Sequence, residues 1–108
     1  MRLLFTILSV TLAASAGAAD AGKGKALYEK HGCWQCHGYV GQGGVAGKAL
    51  APKPMAFEAF TVFVRNTNGP MPPYPKEILS EADLADIHAY LQSLPAGKDY
   101  KSIPLLNQ

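Results

Sequence analysis

This sequence of 108 residues lacks several things, and each absence narrows what the protein can be. Charge of one sign is scarce. Ten Lys and Arg stand against eight Asp and Glu, and without Arg2 the balance is nine to eight. Nucleic-acid binding, which relies on a basic patch or stripe, is therefore not expected. Long apolar runs are missing too, since the most apolar stretch, residues 3–12, falls well short of the ~20 residues that cross a bilayer as a helix. Cysteine is limited to Cys33 and Cys36, too close together to serve as the disulfide framework of a small exported fold. No carboxylate pair suggests acid–base catalysis either: Glu29, Glu58, Glu77, Glu81, Asp83, Asp86 and Asp99 fall at expected helix ends or solvent faces. There is no internal repeat and no sign of a second domain.

What is present begins with a leader. Arg2, the apolar run that follows it and the small residues Ala16-Gly17-Ala18-Ala19 have the order of a secretory signal peptide. Residues 1–19 are expected to be removed, leaving Asp20 as the first residue, an exported periplasmic protein and no stable membrane span. The remaining chain, rich in Gly and Pro, can bury only a modest apolar core. Some additional staple is needed, and a cofactor would provide one.

Cys33-Trp34-Gln35-Cys36-His37 has the C-x-x-C-H spacing of covalent haem c attachment. Two thiols about one turn apart can bond the two vinyl groups of one porphyrin while the adjacent imidazole, His37, meets the iron. A thioredoxin-like dithiol would sit at the start of a helix after a buried strand, whereas here a helical segment precedes the motif and a glycine-rich loop follows it. A zinc site would need a second pair of ligands downstream, and adjacent Cys and His rarely reach one tetrahedral metal.

Together with a later methionine and the flanking helical segments, this motif makes residues 20–95 resemble the small class I cytochrome c family. The resemblance implies an all-α, cytochrome c-like fold of three to four helices around one covalently bound haem. It also implies a distal methionine in a loop often reading Gly-x-Met-Pro, and Gly69-Pro70-Met71-Pro72-Pro73-Tyr74 matches, making Met71 the expected sixth ligand. Prolines at 70, 72 and 73 restrict φ and remove donors, which suits a stiff loop that holds one side chain in place. Met55, between Pro54 and Ala56, competes with it, and either methionine could instead be a core gap-filler. His31 is expected on the proximal side facing water, and His88 as a partly buried packing residue in the last helix. In the family a carbonyl in a Gly-Pro-x-Leu stretch orients the ligand histidine; here Gly47-Lys48-Ala49-Leu50 matches, with Lys48 in place of proline.

Residues 21–31 read as a helix closed by Gly32 in a positive-φ conformation. In the resembling family a glycine and an aromatic at the spacing of Gly24 and Tyr28 let the first helix cross the last closely. Residues 39–54 read as an irregular loop, and 56–65 as a strongly apolar helix whose Phe57, Phe60, Phe63 and Val64 are expected to line a porphyrin pocket and core. Ser80 is expected to cap a helix with Asp83 at its third position and Leu79 packing on Leu84. Leu84, Ile87, Leu91 and Leu94 form its buried face before Pro95, and Tyr90 is a candidate for the first-helix contact. Residues 96–108 read as an extension without periodicity, either mobile or a strap along the surface.

A His37–Met71 iron has no open position for substrate, so the expected function is one-electron transfer with redox protein partners: a dehydrogenase, an oxidase or a reductase. A permanently docked electron-accepting subunit of a periplasmic dehydrogenase is the alternative. A haem gas sensor would require Met71 to leave the iron. Lys30, Lys48 and Lys53 could form a positive rim around the site or be ordinary solvated lysines.

Overall fold

A computed structural model describes residues 17–108. Most of the expected leader, residues 1–16, lies outside the described residues. The architecture among them is all-helical with no strand: α1 (Ala21–Lys30), α2 (Trp34–His37), α3 (Phe57–Arg65) and α4 (Glu81–Ser93), then 3-10 turns at Tyr100–Ser102 and Pro104–Leu106. No helix among them is long and apolar enough to cross a membrane.

The start and stop of α1 are local chemistry. The Asp20 carboxylate accepts from the Lys23 amide at 3.0 Å, satisfying one of the orphan donors at the helix start. At the other end Gly32, at φ 76°, lets its own amide reach the Glu29 carbonyl and the Cys33 amide reach that of Tyr28. This paired closure of the last turn needs a left-handed residue, which glycine adopts without strain. It also delivers the chain directly into the cysteine motif.

The two longest helices, α1 and α4, form the main packing contact, and Gly24 makes it possible. A Cβ on Gly24 would collide with the backbone carbonyl of Asp86, so the helices cross at backbone distance. One turn along, Tyr28 and Tyr90 meet with ring centroids 5.6 Å apart and a 59° tilt. Ser80 caps α4 by accepting from the Asp83 amide at 3.1 Å. Leu79 and Leu84, flanking that cap, are both buried in the core with Leu27, Phe60, Val64, Ile87 and Leu91.

Three placements differ from the sequence reading. Asp86 is buried rather than solvent-facing. Its carboxylate accepts from the Asp20 amide at 2.7 Å and lies 3.7 Å from Lys23 Nζ, so it ties the entry of α1 to α4. Helix α3 starts at Phe57, one residue later than expected, and α4 stops at Ser93, leaving Leu94 in an extended conformation before Pro95. The tail is neither patternless nor tightly strapped, for it folds into the two 3-10 turns while Leu105 and Leu106 stay exposed.

Candidate functional site

Helix α2 is a single turn, and its brevity follows from its flanks: Gly32 precedes it and Gly38, at φ 83°, ends it. With Cys33 as its N-cap, it presents Cys33, Cys36 and His37 to one cavity of about 330 Å³. Met71 lines the same cavity from the opposite end of the sequence motif set, and Phe60, Val64, Leu84, Ile87 and Leu91 supply apolar wall. A cavity of this size falls within the ~300–1,000 Å³ range of small-molecule and cofactor sites, with the expected mix of apolar lining and few polar groups.

The loop after α2 is irregular but well tied. The Gly43 amide donates to the His37 carbonyl at 2.7 Å, the Leu50 and Ala51 amides share the Gly41 carbonyl, and the Tyr28 hydroxyl donates to the Gly38 carbonyl at 2.7 Å. This brings the Lys48 carbonyl to 2.7 Å from His37 Nδ1. With Nδ1–H donating to a carbonyl, Nε2 carries the free lone pair, which is the tautomer a metal requires. Gly47 is needed for this approach, because a Cβ there would sit 2.8 Å from the Cys36 carbonyl oxygen and 2.9 Å from His37 Nδ1. The carbonyl expected from the family pattern is thus in place although Lys48 replaces its proline.

Burial pushes the Cys33 thiol up to about 11, so at neutral pH it stays protonated. The described residues hold no strand, so the motif lacks the buried strand that a thioredoxin-like dithiol follows. Cys33 and Cys36 are not joined to each other. Tyr28, which also lines the cavity, is raised above the usual phenol range chiefly by burial and then by Cys33 and Tyr90. It acts as a neutral hydrogen-bond donor.

Neither His31 nor His88 lines the cavity. His88 is buried against Phe57 and Phe60, and its Nε2 pairs with the Met55 carbonyl at 2.8 Å, the packing role expected of it. His31 is not the water-facing residue anticipated: it is half-buried, edge-on to Tyr74, and desolvation, followed by Lys30, lowers its pKa. Met55 and Met71 both reach the cavity. Phe60 and Phe63 line it as expected, although Phe63 keeps an exposed side, while Phe57 packs on His88 instead. Lys48 and Lys53 are among the lining residues and Lys30 is not.

Sequence reasoning missed Tyr74, which lines the cavity, and Arg65, which holds it. Arg65 Nη1 donates to the Tyr74 carbonyl at 2.8 Å. A basic residue in the last turn of a helix reads as an ordinary dipole partner, and carbonyl acceptors have no signature in a sequence.

The chemistry available here is that of a tetrapyrrole site: two thiols, an oriented imidazole and thioether sulfur around one apolar volume. No curated protein and no solved structure matches the chain. Residues 19–91 match the family model described as cytochrome C oxidase, cbb3-type, subunit III, and the chain belongs to that family of c-type cytochrome domains, whose work is haem-based electron transfer.

Proposed function

We propose that the protein is an exported, periplasmic cytochrome carrying one haem c, bonded through Cys33 and Cys36, that passes single electrons between redox proteins. The observation that carries this reading is the convergence of Cys33, Cys36, His37 and Met71 on one apolar cavity, with His37 Nδ1 engaged by the Lys48 carbonyl. In that reading His37 Nε2 is the proximal ligand and Met71 the distal one. When bound, haem supplies reversible exchange between ferric and ferrous iron.

The chain's own residues do the rest. The Lys48 carbonyl fixes the imidazole plane and raises the basicity of its free nitrogen. Tyr28 and the apolar wall keep water from the buried side. A thioether from Met71 favours the reduced state relative to stronger donors, raising the potential. Met71 is favoured over Met55 because it sits in a proline-restricted segment, whereas the Met55 backbone is already engaged by His88.

A pyridine haemochrome spectrum on denatured protein, made in a host competent in cytochrome maturation, tests the attachment. The pigment should stay with the chain and be lost from a Cys33→Ser/Cys36→Ser variant. Met71→Ala should abolish the far-red methionine-to-iron absorption while Met55→Ala keeps it, and the reverse pattern would reassign the distal ligand.

The family match favours a second reading, a cytochrome subunit held permanently by a catalytic partner such as a dehydrogenase or an oxidase. Co-purification at native expression level separates the two: the shuttle elutes alone and the subunit with its partner.

A further inference from the structure

Met71 lies in a segment that makes almost no bonds of its own. Among the described residues, positions 67–73 neither donate nor accept a hydrogen bond, and three of the seven are proline. Such a span is stiff and held by no hydrogen bond of its own, so beyond the packing of Met71 against the core its place is set by its two ends.

Both ends meet at Arg65. Arg65 is the last residue of α3, and its Nη1 donates to the Tyr74 carbonyl at 2.8 Å and to the Leu79 carbonyl. The Tyr74 amide returns to the Val64 carbonyl at 2.9 Å. The Tyr74 hydroxyl donates to the His31 carbonyl at 2.7 Å, two residues before Cys33. The segment bearing Met71 is thus a closed loop, locked by Arg65 and tied through Tyr74 to the entry of the cysteine motif.

We propose that Arg65 is a positioning residue for the Met71 thioether, holding the loop shut so that the sixth position stays closed to outside ligands. This rests on the reading of Met71 as the distal ligand. In this role Arg65 acts through the loop that carries Met71. It sets the free energy of opening the loop, and hence the fraction of molecules in which another ligand can bind.

The test uses the haem-loaded protein and four variants: Arg65→Gln, Arg65→Lys, Tyr74→Phe and Met71→Ala. Imidazole affinity of the ferric form, carbon monoxide binding by the ferrous form and the far-red band are read beside denaturant stability. Arg65→Gln should bind imidazole at least about tenfold more tightly, the change produced by ~1.4 kcal/mol, with the far-red band weakened. Arg65→Lys and Tyr74→Phe should fall between it and the parent. If the Arg65 variants lose stability while imidazole affinity and band stay at parent values, Arg65 is only structural and the proposal fails. Should Arg65→Gln not accumulate, Arg65→Lys decides by the same comparison. Met71→Ala reports separately: if it remains closed to imidazole and carbon monoxide, the distal assignment itself is wrong.

Discussion

Gly47 shows how much can depend on one missing methyl group. Its Cα faces the Cys36 carbonyl and His37 Nδ1 so closely that an added Cβ would sit 2.8 and 2.9 Å from them. Both neighbours are held, the first by the helical turn and the second by the Lys48 carbonyl. Neither can yield without disturbing the imidazole. Gly47→Ala should therefore cost ~1–3 kcal/mol in unfolding free energy, the usual range for overpacking. It should also raise the reduction potential, because a weakened Nδ1 bond makes the ligand nitrogen less basic. Potentiometric titration checks this, and an unchanged potential would mean that the carbonyl does not tune the site. The cysteines and His37 were legible because their chemistry is contiguous in sequence. Arg65 was not, because its partners are the main-chain carbonyls of Tyr74 and Leu79, 9 and 14 residues away.

The elements were legible where their signals were local. Ser80, Asp83, Leu79 and Pro95 lie within or beside α4, so cap, staple and stop could be read together and the helix begins where they place it. Asp86 was misread because it is polar and its burial is decided by the Asp20 amide, 66 residues away. Contacts at such range are invisible to periodicity. The crossing of α1 and α4 belongs to the same class: the close approach at Gly24 was suggested by a family pattern and not by the helix's own spacing. Here two opposing effects can be weighed. Alanine improves on glycine in a helix interior by ~1 kcal/mol. A Cβ at Gly24, however, would overlap the Asp86 carbonyl, and backbone atoms can move aside only if the helices separate. Gly24→Ala should be destabilising, by ~2 kcal/mol or more once the propensity gain is offset. The denaturant midpoint should fall, and a midpoint that rose would show that the helices can part at little cost.

At the scale of the whole molecule, the buried core is small. Nine apolar residues form it among the described residues, and the cavity of about 330 Å³ lies beside them. Seven of the nine, Tyr28, Phe60, Val64, Leu79, Leu84, Ile87 and Leu91, also line the cavity, so the core and the site share their walls. A core this small leaves a short chain near the limit of independent stability, and a bound cofactor would add apolar contact to it. Cys33→Ser/Cys36→Ser, expressed without maturation machinery, should show far-UV circular dichroism much weaker than the loaded protein, and undiminished helix would sink this account. The same cavity concentrates what little charge asymmetry the molecule has. Lys48 and Lys53 lie at its lining while Lys30 lies apart, so the rim anticipated from sequence shrinks to two positions. With ten Lys and Arg against eight Asp and Glu, nine against eight without Arg2, long-range attraction by the whole molecule is weak, and any steering of an acidic partner would come from these two side chains near the site. Exposed charges are screened beyond ~8 Å at physiological ionic strength. Replacing both lysines with glutamine should therefore slow electron transfer to an anionic oxidant a few-fold in dilute buffer, the low end of the ~10–1,000-fold range of steering effects. The difference should vanish as salt is raised, and a neutral oxidant should react equally with both proteins. Stopped-flow rates across a salt series decide the matter, because lysines that are merely solvated give two superimposable curves.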